Sequence, residues 1–132
     1  MVPADGFYEW KRLTLEGKEE KFPWYIGLKG RALFAFAGMW DVWRDAQGVE
    51  ILTYTIVITT PNELVQDLHS RMPVILHQTD EEAWLDSETP LSTVLDLLRS
   101  YPASEMLSYP VSTRVNSPQN DEPTLLEQVE TP

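Results

Sequence analysis

Residues 50–60 read EILTYTIVITT and run straight into Pro61. Most of these side chains branch at Cβ, which stiffens them against a helix and suits them to a pleated, half-buried surface. The run is therefore a strand, and the proline closes it because it has no N–H to give a ladder. The chain as a whole has 10 prolines and 6 glycines in 132 residues, a punctuation that predicts short elements and excludes a helical bundle.

Other segments fit the same pattern. Residues 33–43, LFAFAGMWDVW, alternate aromatic and small side chains up to Gly38, where a bulge or a close backbone approach is expected. The DAQG that follows at 45–48 is turn chemistry, so 33–43 and 50–60 form a hairpin. Residues 16–28, EGKEEKFPWYIGL, read as a charged turn and a strand with Trp24 and Ile26 on one face. Thr60, Pro61, Asn62 and Glu63 spell a capping box, predicting a short helix through Leu68. A β-like run opens at Pro73. Thr79 to Glu82 repeats the box before AWL, and Thr89-Pro90 opens a helix with Leu91, Val94, Leu95 and Leu98 on one stripe. Residues 108–116 form a last strand, and the polar, acidic stretch after Pro118 reads as a loose tail. Strands come first and helices late, which is an α+β layout on antiparallel sheet. The length allows one domain with a real core, and there is no internal repeat.

Charge narrows the partners. The net charge of −11 argues against a simple nucleic-acid binder. It is uneven, however: residues 1–60 carry 7 Lys and Arg against 8 Asp and Glu, and residues 61–132 carry 3 against 13. The acid reads as solvated helix faces and tail. The absence of cysteine excludes disulfides, thiolate ligands and thiol nucleophiles from these residues. No apolar run reaches the length of about 18 residues needed to span a membrane, and no signal-peptide pattern opens the chain, so a cytoplasmic protein is expected.

The candidate chemistry begins at residues 6–10, GFYEW. On a strand, Phe7 and Glu9 share one face and Gly6, Tyr8 and Trp10 the other. A carboxylate beside rings is held above its usual pKa by desolvation; the plain alternative is an edge-strand Glu whose head reaches water. Of the two histidines, His77 precedes a polar turn and reads as a surface residue. His69 sits where a capped helix gives way to a strand, a place that suits a working side chain or one simply hydrogen-bonded near a helix end. Arg71 is spaced to pair with Asp67, four residues back. Two histidines without HxH or HxxxH spacing predict no metal site, and no GxGxxG, Walker A or GxSxG run points to a nucleotide cofactor or a serine nucleophile. A Glu and a His on separate elements can serve as a general acid/base pair. Trp10, Trp40 and Trp43 are candidate stacking surfaces for unpaired bases, whereas Trp24 and Trp84 suit core packing.

Four stretches together resemble the SOS response-associated peptidase family, also called the abasic-site processing or SRAP domain: GFYEW, FAGMWDVW (36–43), TIVITTPNELVQDLHSRMPVIL (55–76) and VSTRVNSPQNDEPTLLE (111–127). The resemblance implies a mostly antiparallel, barrel-like β core with short peripheral helices. Family members begin Met-Cys-Gly-Arg, whereas this chain begins MVPADGFYEW and has no cysteine. It therefore resembles the C-terminal portion of the domain over residues 1–118, with 119–132 as an acidic tail and the N-terminal part missing. The implied activity is abasic-site processing in single-stranded DNA: a leading cysteine condenses with the ring-opened sugar aldehyde to a thiazolidine crosslink and supports autocatalytic removal of the residue before it. By position, the family's catalytic Glu and His fall on Glu9 and His69, and Trp10, Thr59 and Arg71 fall on positions that contact DNA near the lesion. No cofactor, metal or membrane partner is implied. The readings from other classes are a single-stranded DNA-binding module without chemistry, in which Trp10 and Arg71 hold the strand, and an unrelated hydrolase using Glu9 and His69 on water.

Overall fold

The structure is a computed structural model and describes residues 1–130. In chain order the strands are β1 (Val2–Ala4), β2 (Phe7–Leu15), β3 (Lys18–Leu28), β4 (Phe34–Phe36), β5 (Gly38–Arg44), β6 (Glu50–Ile56), β7 (Ile58–Thr59), β8 (Met72–Pro73), β9 (Ile75–Leu76) and β10 (Met106–Pro110). Helices α1 (Glu81–Leu85) and α2 (Leu91–Asp96) lie between β9 and β10. The strands form antiparallel sheets ordered β1-β4-β9, β10-β3-β2, β5-β6 and β7-β8, which is the expected α+β layout on antiparallel sheet. Among the described residues they do not close into a barrel.

Single-residue breaks divide the long strands. β4 passes into β5 at Ala37, β6 into β7 at Val57, and β8 into β9 at Val74. The three breaks meet: Ala37 N–H donates to Val74 O, Val57 N–H to Ala37 O, and Val74 N–H to Val57 O, each at 2.9 Å. At the next residue a Cβ added to Gly38 would lie 2.9 Å from Val2 Cγ2, so glycine is required by close approach, as expected from the sequence.

The core gathers where these sheets meet. Ile26 and Leu28 from β3, Phe34 and Phe36 from β4, and Val65, Met72, Ile75, Tyr101 and Met106 form its main cluster. Each buried aliphatic side chain there contributes about 1.5–3 kcal/mol relative to an exposed one.

Several local expectations change. Residues 61–68 form a string of turns rather than a helix. Asn62, not Thr60, caps the segment: its buried Oδ1 accepts from Leu64 and Val65 N–H at 3.1 and 3.0 Å, and its Nδ2 donates to Tyr101 O at 2.6 Å. That anchor pulls the chain inward, buries Val65 and leaves only isolated turns, with His69 N–H bonded to Val65 O at 2.9 Å. The second capping box does not form either; Thr79 Oγ1 bonds Asp80 Oδ1 instead. Of the expected α2 stripe, Val94 is half-buried and Leu98 packs on the core, but Leu91 and Leu95 stand 71% and 57% exposed; Leu97, just past the helix, is the buried leucine. Bonds from Leu97 and Leu98 N–H to Val94 and Leu95 O tighten the helix end toward a 3-10 turn, which swings Leu97 inward. The last strand starts and stops earlier than expected, because Ser112 Oγ accepts from Arg114 N–H and opens a 3-10 turn over Thr113–Asn116. The acidic segment is fastened rather than loose: Leu125 is buried, Val111 bridges to Gln128, and Val129 N–H donates to Pro110 O at 3.0 Å. Residues 131 and 132 lie outside the described residues.

Candidate active site on an edge strand

β2 is an edge strand, so one side of its backbone is free and side chains from both its faces can reach round that edge. Glu16 and Gly17, at φ 50° and 80°, make the two-residue turn to β3 and set the register. Phe7 stands opposite Ile26, Glu9 opposite Trp24 and Lys11 opposite Phe22 on one face; Tyr8, Trp10 and Arg12 stand opposite Tyr25, Pro23 and Lys21 on the other. Phe7 packs edge-on to Phe36 at a centroid distance of 5.7 Å, so this face leaves the core as it reaches Glu9. Lys11 Nζ lies 5.6 Å from the centroid of the Trp24 ring rather than on the neighbouring carboxylate. Trp24 is half-buried, with its indole N–H unpartnered.

A cavity of about 700 Å³ opens along this edge. Glu9, Trp10, Arg12 and Lys21 line it from the hairpin, Asp67, Leu68, His69 and Ser70 from the turn after Asn62, and Asn116 from the C-terminal segment. Burial pushes the Glu9 carboxyl above its usual range, and the charge of His69 pulls it partly back. The two groups named from the sequence therefore face one space, although sixty residues separate them.

His69 is held by its own turn. Arg71 N–H donates to His69 Nδ1 at 3.2 Å, and Arg71 O lies 3.1 Å from the same nitrogen. With its proton on Nε2 the neutral ring accepts from the amide; with a proton on Nδ1 the ring donates to the carbonyl. The backbone of residue 71 thus serves both charge states. Trp10 is fixed as well: its indole N–H donates to Asn116 Oδ1 at 2.7 Å, and the ring stays exposed.

Thr59 and Arg71 lie outside the cavity lining. Thr59 pairs with Met72 in the β7–β8 ladder and its hydroxyl donates to Leu98 O at 3.3 Å, so it sits beside the strand that Arg71 enters. The Arg71 guanidinium is exposed and forms no ion pair among the described residues; the Asp67 partnership suggested by the spacing is not made. His77 is half-buried and stacks on Tyr101 at 4.4 Å, not a free surface residue. Trp40 lines a separate, mostly apolar depression of about 280 Å³ with Met1, Val2, Pro3, Gly38, Met39 and Tyr54, and neither it nor Trp43 reaches the Glu9 cavity. Among the described residues no three His, Asp or Glu side chains converge as metal ligands, and no helix is long and apolar enough to cross a membrane. Sequence reasoning missed Arg12, Lys21, Asp67, Ser70 and Asn116. The first two were within reach, since a two-residue turn at 16–17 places them opposite each other; nothing in the chain marks Asn116.

Comparison with known proteins bears on this arrangement. A profile of the SOS response associated peptidase (SRAP) family matches residues 1–118. The chain belongs to the SRAP family. It is 46% identical over 128 residues to the Bacillus subtilis (strain 168) abasic site processing protein YoqW, covering 96% of this chain and 56% of that protein. Against the Gallus gallus abasic site processing protein HMCES it is 37% identical over 148 residues, covering 98% of this chain and 43% of that one. A crystal structure of a protein from Bacteroides thetaiotaomicron superposes with a TM-score of 0.86 at 32% identity, covering 98% of this chain and 56% of that chain. The SRAP chain thus spans about half the length of the relatives it matches.

Proposed function

We propose that this SRAP chain carries the proton-handling part of a centre that processes abasic sites in single-stranded DNA. One observation carries the reading: Glu9 and His69 face a single open cavity beside the fixed, exposed ring of Trp10. An abasic sugar opens to an aldehyde, and condensation of an amine with that aldehyde expels water. The step needs an acid to protonate the departing hydroxyl and a base to take the amine proton. Glu9, raised by burial, is suited to hold a proton for the first task. His69, with a backbone partner in either charge state, is suited to the second. Trp10 offers a face to the base beside the gap, and Thr59 and Arg71 lie where β7 and β8 meet, the exposed Arg71 guanidinium being available to a backbone phosphate.

The peptidase side of the family fits the same pair, which can activate water or shift a proton at a scissile amide. The 132 residues contain no cysteine and so bring no thiol of their own to either reaction.

The test is titration of a labelled single strand carrying one abasic site against the same strand intact. Tighter binding to the abasic strand, weakened by Trp10→Ala and by Arg71→Ala, is expected. With a small primary amine added as the co-reactant and borohydride present to trap the product, Glu9→Gln and His69→Ala should slow imine formation at the abasic aldehyde while binding persists. Without reductant, the 132 residues should leave no heat-stable adduct on a denaturing gel. Equal affinity for the two strands, or binding to neither, overturns the proposal.

A further inference from the structure

The β2–β3 hairpin holds a pair of cations that the fold does not need. The turn at Glu16 and Gly17 sets Arg12 directly opposite Lys21 on the exposed face. Like charges opposite one another on a sheet are destabilising. The pairing is also unusual within this chain, which has 10 Lys and Arg against 21 Asp and Glu. Arg31, Arg44, Arg99 and Arg114 each meet a carboxylate, whereas Lys21, like Lys11, Lys18, Lys29 and Arg71, has no ion-pair partner among the described residues. Arg12 reaches only Glu19, at 3.4 Å and in the open, a loose contact that an anion displaces readily.

Both cations line the cavity that holds Glu9 and His69. Arg12 lies three residues beyond Glu9 along β2, a distance of about 10 Å at the rise of a strand. Trp10 stands between them on the same face as Arg12, its indole N–H tied to Asn116 so that the ring cannot swing away. In order, the groove therefore offers a proton-transfer pair, an aromatic face and a double positive charge. A sugar, a base and a phosphate of one polynucleotide strand are spaced to meet these in turn.

We infer that Arg12 and Lys21 bind the backbone phosphate of the nucleotide next to the reacting sugar, with that nucleotide's base on Trp10. The strand then leaves the site along the β2–β3 hairpin on one side of the lesion. The inference rests on the function proposed above and gives that site a polarity. Arg12 exchanges Glu19 for the phosphate, and the phosphate removes the repulsion between Arg12 and Lys21. Asn116 acts as a positioning residue through Trp10.

The experiment compares the unaltered chain with Arg12→Gln/Lys21→Gln. Single-stranded oligonucleotides carry one abasic site and extend from it only 5′, only 3′ or both ways, and each is titrated over a salt series. Loss of one phosphate contact should lower the slope of log affinity against log salt by about 0.7 in the double variant. The unaltered chain then loses about 2.6-fold more affinity than the variant between 50 and 200 mM salt. The loss should appear for one direction of extension and not the other. Arg12→Lys should keep the slope, and Glu19→Gln should tighten binding by freeing Arg12. Both altered positions are exposed, and an unchanged melting temperature confirms that the variant is folded. An unchanged slope, or equal loss in both directions, overturns the inference alone. If the unaltered chain binds intact and abasic strands equally but the salt slope still falls in the double variant, the function reading and the polarity fall together and only the phosphate contact of the hairpin stands. Binding to no strand overturns both.

Discussion

The two long hairpins, β2–β3 and β5–β6, are built from the same materials and end in opposite states. Each is an antiparallel ladder closed by a short turn, rich in aromatic residues, with an Arg–Glu pair across its outer half. On β3, Ile26 is wholly buried because β10 takes the outer edge of that strand and Phe7 and Phe36 close over its inner face. On β5–β6 no third strand joins among the described residues, and Trp40 and Leu52 stand 73% and 75% exposed. An isolated two-stranded hairpin is marginal in water. This one is held at its root, by the three bonds joining Ala37, Val57 and Val74 and by Gly38 against Val2. Alternation in a sequence thus dictates a strand; whether its apolar face is buried depends on what arrives from elsewhere in the chain.

The largest effect that tests this contrast is in the core. Ile26→Ala should cost about 2–5 kcal/mol of unfolding free energy, while Leu52→Ala should stay within about 0.5 kcal/mol. Urea unfolding measures both. Similar losses at the two positions would mean that β5–β6 is covered in solution, and the contrast would fail.

The turn that carries His69 gives the next effect. Asn62 accepts two backbone N–H groups and donates to Tyr101 O in a buried setting. Asn62→Ala removes a cap and leaves those groups unmatched, so a loss of about 2–3 kcal/mol is expected. Thermal melting checks it. A loss below about 0.5 kcal/mol would show the turn to be as free-standing as the β5–β6 tip.

These two cases show what could be read from the chain. The strands at GFYEW and EILTYTIVITT, the DAQG turn and the tight approach at Gly38 follow from local steric rules, and the structure has them. The helix after Thr60 fails because a buried Asn62 reaches Tyr101, a partner thirty-nine residues on that no local pattern announces. The α2 stripe is only half met, Val94 and Leu98 turning inward and Leu91 and Leu95 outward, because six residues are too few for periodicity to orient a helix. At the site, spacing alone could not bring Glu9 to His69; the family resemblance named them, and the edge of β2 puts them together. Residue type alone groups Trp40 and Trp43 with the site, but they belong to the other hairpin. Asn116 was invisible for the same reason as Asn62, since its partner Trp10 lies across the fold.

A smaller effect should appear with pH. Burial holds Glu9 above the usual carboxyl range in the folded chain, while its unfolded pKa is about 4.3. The folded state therefore binds the proton more tightly. The stability this adds is fully present below the unfolded pKa and is lost as pH rises through the folded one. Glu9→Gln cannot ionise, so it should lack that decline and gain on the unaltered chain toward neutral pH. Unfolding midpoints from about pH 4 to pH 7 measure the difference. Parallel curves would show that the edge of β2 desolvates Glu9 no more than the bare hairpin would.

The smallest effect returns to the hairpins themselves. On β5–β6, Arg44 stands opposite Glu50 and gives two N–H groups to one carboxylate oxygen, with Nε at 3.0 Å. On β2–β3, Arg12 reaches diagonally to Glu19 with a single contact at 3.4 Å and has Lys21 directly across from it. Exposed pairs contribute about 0–1 kcal/mol. Arg44→Gln should therefore lose several tenths of a kcal/mol, and salt should shrink that loss by screening the pair. Arg12→Gln gives up a weaker attraction and also relieves a repulsion, so its net effect should be about zero or slightly stabilising. Denaturant titrations at low and high salt separate the two. A clear loss at Arg12 would mean that it is there to hold the hairpin together. A null result leaves its charge without a structural purpose, which is what a residue kept for a phosphate should show.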